Sequence, residues 1–194
     1  MAHGLHGIAA AALASMALGA AQAAEGPHVS QLTDYANTTV AAWMSEALVV
    51  EAVKAQNAKN AALSEADIDS LDKQWRAEVG GSERPMIEEI MGRELSTWLA
   101  SMREGSGGFV TEVFVMDNRG LNVGQSDVTS DYWQGDEAKW QETFLKGAGA
   151  VFVDEIERDE STQMLQSQVS MAIVDPATSE VIGAVTVGVN VDQL

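Results

Sequence analysis

The chain has no cysteine, three histidines and only 11 basic residues against 29 acidic ones among its 194. The missing cysteine excludes thiol catalysis, thiolate metal sites and disulfides together. A formal net charge of -18, with no basic stretch, excludes a grip on a phosphate backbone and disfavours anionic lipid. Nucleic acid is therefore not an expected partner. Once the first residues are set aside, His28 is the remaining histidine. That leaves no Ser-His-Asp constellation and no multi-histidine metal site. No Gly-rich phosphate cradle precedes a helix, so no cofactor is expected. Asp67, Asp69 and Asp72 imitate the start of a calcium loop, but Leu71 and Asp72 stand where that loop needs an oxygen ligand and a glycine.

Long apolar runs are also missing. The one apolar stretch, Ile8 to Ala21, is short against the roughly 20 residues of a bilayer span. Ala21-Gln22-Ala23 after it has the small-x-small pattern of a signal-peptidase site. Residues 1-23 thus read as a cleavable signal peptide, implying a periplasmic product starting at Ala24 or Glu25. The segment before the run carries His3 and His6 but no Lys or Arg; an uncleaved anchor is the alternative.

What is present divides into a helical part, 24-108, and a strand part, 109-194, read together as one α+β domain. Val29 to Asn60 has helical spacing at Val40, Trp43, Ala47 and Val50 and no Gly or Pro. It predicts one long helix of roughly 45 Å, either lying across a sheet or forming a parallel homodimer interface. Ser64 and Asp67 predict the cap of a second helix bearing Ile68, Leu71 and Trp75, stopped by Gly80 and Gly81. Pro85 predicts the first turn of a third, Met86 to Met102, with Ile87, Ile90, Leu95 and Leu99 on its apolar side. Five strands follow: Phe109 to Asp117, Leu121 to Ser126, Ala150 to Ile156, Met164 to Val174 and Val181 to Val191. A short helix, Asp136 to Lys146, is inserted after the second.

Alternation on the last two strands gives one dry face, with Val169, Met171, Ile173, Val185, Val187 and Val189. The other face carries Gln166, Gln168, Ser170 and Ala172 opposite Ala184, Thr186 and Gly188. With Ser170 opposite Thr186, these small polar side chains either meet solvent or line a hollow for a small polar ligand. Trp140 and Phe144, four apart on the inserted helix, read as core or as the wall of that hollow. Tyr132 and Trp133, on the preceding loop, combine an apolar ring with a polar tip and are ligand candidates. The ligand expected there is uncharged or weakly anionic.

Two stretches carry a family resemblance: FVMDNRGLNVGQSDVTSDYWQGDEAKWQ, Phe114 to Gln141, and SQVSMAIVDPATSEVIGAVTVGVNVDQL, Ser167 to Leu194. From about Phe109 onward the chain resembles the periplasmic Cache sensor domains, which have a PAS-like sheet. The resemblance implies a small-molecule pocket between the sheet and its capping loops, and a signal passed to a membrane receptor or kinase. It adds Trp140 and Lys139, near positions where amino-acid-binding members have a tryptophan and an arginine. Those members also place an aspartate in the last strand, where this chain has Gly188; an amino-acid ligand is not implied. The chain ends at Leu194, directly after the last strand, so it resembles a stand-alone member. The leading expectation is a non-catalytic sensor-like domain with Tyr132, Trp133, Lys139, Trp140, Gln168, Ser170 and Thr186 as ligand residues. The alternatives are a dimeric scaffold with a degenerate pocket, and a hydrolase using carboxylates from Asp127, Asp131, Asp136 and Glu137.

Overall fold

The computed structural model describes residues 24-158 and 164-194. The expected signal peptide lies outside them. The chain enters with Pro27 in the first turn of α1 (Pro27–Tyr35), where a missing N–H costs nothing. A π-helical turn, Ala36–Val40, leads directly into α2 (Ala41–Met44). Leu32, Ala36, Val40 and Met44 are all buried, at intervals of four residues. In a regular α-helix such a stripe drifts by about 40° per step. The wider π turn holds it against the sheet.

The long helix expected over Val29 to Asn60 is not continuous. It breaks at Ser45 and Glu46, where Glu46 is extended (φ -62°, ψ 138°), and resumes as α3 (Ala47–Asn60). Ser45 Oγ donates to Ala42 O at 2.7 Å, an alternative to the helical ladder that favours a break. The two rods bend across the sheet, and their apolar stripe is covered by it.

In α4 (Glu65–Val79) the Ser64–Asp67 capping box is formed in both directions. The helix expected over Met86 to Met102 is also two: α5 (Pro85–Met91) and α6 (Glu94–Gly105). Arg93 between them is extended (φ -66°, ψ 147°). Its guanidinium reaches inward to Gln56 Oε1 at 2.8 Å and Val123 O at 2.7 Å. Ile87, Ile90, Leu95 and Leu99 are buried in both pieces.

The sheet comprises β1 (Val110–Met116), β2 (Asn122–Gln125), β3 (Val151–Val153), β4 (Glu157–Arg158), β5 (Leu165–Val174) and β6 (Val181–Asn190). All pairings are antiparallel. The order is β2-β1-β6-β5-β3, with β4 also on β5. The fold is α+β, and the sheet has six strands where five were expected, because Ala150 to Ile156 ends early and Glu157 pairs anew. Between β1 and β2, Gly120 sits at φ 81°, and a Cβ there would lie 2.6 Å from Gly135; the turn requires glycine.

The inserted helix shrinks to α7 (Ala138–Gln141) and a 3-10 turn, Phe144–Lys146. Thr143 Oγ1 donates to Lys139 O at 2.6 Å between them. One sheet face, with Val113, Val115, Val169, Ile173, Val185 and Val187, packs on α1 to α3 and α6 in the main core. Each such side chain contributes about 1.5–3 kcal/mol by leaving water. A second cluster joins Ile68, Trp75, Ile87 and Ile90 of α4 and α5 to Leu121 and Tyr132.

Candidate functional site

The register of β1, β6 and β5 arranges the polar face in rows. Glu112, Gly188 and Gln168 form one row, Phe114, Thr186 and Ser170 the next, and Met116, Ala184 and Ala172 a third. Ser170 does lie opposite Thr186, and the two hydroxyls bond at 2.9 Å. With relative exposures of 1% and 0%, they are a satisfied buried pair. Trp140 and Phe144 stack on each other (4.9 Å, 20°) and pack on Phe114, Met116 and Ala184. Trp140 Nε1 donates to Asp117 O at 3.1 Å, which pins the inserted segment to the β1–β2 turn. The small residues of this face thus receive aromatic side chains from α7 and the turn after it.

Lower on the same face, Lys139 and Gln168 line a common pocket of about 260 Å³ with Glu137, Asp154, Glu155, Glu157, Gln166 and Ser167. Lys139 points inward. Its side chain is 14% exposed, and Nζ pairs with Glu137 at 2.8 Å and stands 5.5 Å over the Phe114 ring. Burial pushes the Glu137 carboxyl above its ordinary range, against the pull of Lys139.

Gln168 Nε2 donates to Glu112 Oε1 at 2.8 Å. That bond passes over Gly188, where a Cβ would lie 2.7 Å from Glu112 Cγ and 2.5 Å from Thr111 Oγ1. A register shift between Val110 and Glu112 turns Thr111 and Glu112 toward the same side, as bulges do. A second, larger pocket of about 690 Å³ adjoins, lined by Arg103, Glu104, Thr111, Glu112, Asp127, Gln166 and Asn190 among others. Gln166 is common to both pockets. Arg103 is ion-paired with Asp127.

Tyr132 and Trp133 are elsewhere. Leu121 bridges to Trp133 and Asn122 N donates to Tyr132 O at 3.0 Å, so the loop runs outside edge strand β2. From there to Gln168 on β5 is four strand spacings, about 19 Å. Asp72 Oδ1 accepts the backbone N–H groups of Tyr132 (2.9 Å) and Trp133 (3.0 Å), which fastens the loop to α4. Tyr132 is 5% exposed and stacks on Trp75 (5.6 Å, 24°). Trp133 Nε1 donates to Arg119 O at 2.8 Å. The seven expected residues thus fall into three places: Lys139 and Gln168 in the groove, Trp140, Ser170 and Thr186 in the packed layer above it, and Tyr132 and Trp133 beyond β2.

Glu112 and Asn190 were not singled out from the sequence, while Gln166 was placed on the polar face and Glu137 among the hydrolase carboxylates, neither as a ligand residue. A signal for Glu112 was available: Val110 and Val113 are three apart where alternation demands two, so the strand must bulge between them. Of the carboxylates considered for hydrolysis, Asp127 is held by Arg103, Asp131 by Arg76 and Glu137 by Lys139. Asp136 lines a separate cavity with Trp133.

No protein-family model and no curated protein sequence matches the chain. Among solved structures, the ligand-binding domain of the Campylobacter jejuni chemoreceptor Tlp3, in complex with 4-methylisoleucine, is 14% identical at a TM-score of 0.39, over 82% of this chain and 64% of that one. The sensor domain of the V. cholerae histidine kinase DctB is 14% identical at 0.37, over 84% and 55%. The E. coli DcuS sensor domain is 18% identical at 0.35, over 64% and 92%. The chain spans less than two thirds of the Tlp3 domain's length. These neighbours are the ligand-binding domain of a chemoreceptor, the sensor domain of a histidine kinase and the DcuS sensor domain.

Proposed function

We propose that residues 24-194 form one non-catalytic sensor domain that binds a small molecule in the groove on the polar face of the sheet. The observation that carries this reading is that Lys139, paired with Glu137, and Gln168 line one pocket, and that Gln168 donates to Glu112 of the adjoining pocket. Carboxylates outnumber cations around the groove: Glu137, Asp154, Glu155 and Glu157 face Lys139, and Glu104, Glu112 and Asp127 face Arg103. Such a field favours a neutral polar or cationic ligand; of the uncharged and weakly anionic ligands expected from sequence, it favours the uncharged.

The same reading has residues 1-23 directing export and a membrane receptor or kinase receiving the signal. Among the described residues, no helix is long and apolar enough to cross a membrane. A homodimer through the N-terminal helices finds little support, because their apolar stripe is spent on the sheet. The scaffold reading draws support from the burial of Ser170 and Thr186 beside Trp140 and Phe144.

A thermal-shift screen of neutral, cationic and anionic metabolites separates the two. A ligand at a hundredfold excess over Kd stabilises by about 2.7 kcal/mol. The sensor reading expects such a shift, lost in Gln168→Leu and Lys139→Met. No shift from any compound leaves the scaffold.

A further inference from the structure

The cavity at Tyr132 has a chemistry different from the groove. It lies between α3, α4 and α5, holds about 480 Å³, and is lined by Lys59, Leu71, Met86, Ile90, Arg93 and Tyr132 among others. Burial first, and then the Asp117 and Glu89 carboxylates, raise the pKa of the Tyr132 phenol against Arg93 and a side-chain hydrogen bond with Gln56, so it is a neutral O–H group at the cavity wall. Leu71, Met86 and Ile90 supply apolar surface.

Charge decides what such a cavity accepts. Cations are scarce in this chain, and nearly every lysine is committed: Lys54, Lys73, Lys139 and Lys146 each pair with a carboxylate. Lys59 alone among the lysines forms no ion pair among the described residues. Arg93 holds Glu89 through Nη2 at 2.9 Å while its Nη1 is bound to Gln56 and Val123. The wall therefore presents two cations against the single carboxylate of Glu89. In a protein of net charge -18, the lining itself carries an excess of cations, with the Asp117 carboxylate acting on Tyr132 from outside the lining.

We propose that this cavity is a second binding site, independent of the sheet groove, for a small carboxylate with an apolar body. The carboxylate meets the Lys59 ammonium and the Tyr132 hydroxyl. The body lies against Leu71, Met86 and Ile90. An uncharged isostere leaves the ammonium without its counter-charge and binds more weakly.

Calorimetric titration of the purified protein with benzoate and hexanoate, and with benzamide and hexanamide as neutral isosteres, tests this. The carboxylates are expected to bind saturably and at least tenfold more tightly than the amides, with the difference shrinking at high salt. Lys59→Gln, an exposed position, should weaken carboxylate binding at least tenfold with an unchanged circular dichroism spectrum. Gln168→Leu, in the other groove, should leave it unaltered. Absence of saturable binding, equal affinity for the amides, or wild-type affinity in Lys59→Gln overturns the proposal. So does loss of binding in Gln168→Leu, which would move the ligand to the sheet groove.

Discussion

Glu112 reaches over Gly188 to accept a hydrogen bond from Gln168 at 2.8 Å, so a carboxylate from β1 occupies space that a side chain on β6 would fill. The sequence shows a glycine in the last strand; the fold shows what the missing side chain admits. Gly188→Ala is expected to push Glu112 off Gln168 and, by overpacking, to cost about 1–3 kcal/mol. Urea denaturation measures the cost, and the thermal-shift response to the groove ligand should fall with it. An unchanged response would show that the Glu112–Gln168 bond does not shape the site.

The parts of this arrangement that were legible are those set by local rules. Ser64 and Asp67 announce a capping box because the spacing itself makes the bonds. Alternation puts Ser170 and Thr186 on the same face, although it is a one-residue register shift between Ile173 and Val174, beyond the Asp175 to Glu180 connection, that sets them opposite each other. The helix breaks were not legible, since neither Ser45-Glu46 nor Gly92-Arg93 excludes helix by composition. Arg93 leaves the helix for Val123, 30 residues away, and no local pattern encodes that partner. The side of the sheet taken by Tyr132 and Trp133 is likewise set by Asp72, 60 residues earlier. Long-range polar contacts decided what the period of apolar residues could not.

Asp72 is therefore a strong structural test. It is 8% exposed and holds the Tyr132 and Trp133 backbones with Oδ1 and Arg76 with Oδ2. Asp72→Ala leaves buried N–H groups without an acceptor, at a cost of about 3 kcal/mol. Chemical denaturation should show it, accompanied by faster amide exchange at Tyr132 and Trp133. A loss near zero would mean the loop is held by its aromatic packing alone.

Acid should loosen the tie between α3 and the β5–β6 turn. The side-chain hydrogen bond from Lys54, at 2.6 Å, holds the Asp175 carboxyl below its ordinary range, and the backbone N–H of Ala177 adds to it. A carboxyl depressed on folding contributes stability that is complete above its unfolded pKa and is lost as pH falls through the folded value. Wild type should therefore lose part of its stability below about pH 4, the ordinary aspartate range. Lys54→Met should lose less over the same interval, starting from a lower stability at neutral pH. Melting temperatures of both proteins between pH 3 and 7 would show the curves converging in acid; parallel curves would remove Asp175 from the account.

The hydroxyl pair beneath the inserted segment distinguishes packing from binding. Ser170 and Thr186 satisfy each other at 2.9 Å in a buried position. Removing one partner leaves the other hydroxyl without a bond, whereas removing both by apolar groups of similar shape is close to neutral. Ser170→Ala and Thr186→Val should each destabilise by about 1–2 kcal/mol. The double variant should cost less than their sum by about 1 kcal/mol, a coupling that a double-mutant cycle in urea resolves. Because neither residue lines the groove pocket around Lys139 and Gln168, ligand affinity in the double variant should stay within twofold of wild type. A larger loss of affinity, with the fold intact, would place the ligand against these hydroxyls after all and require Trp140 and Phe144 to swing away to admit it.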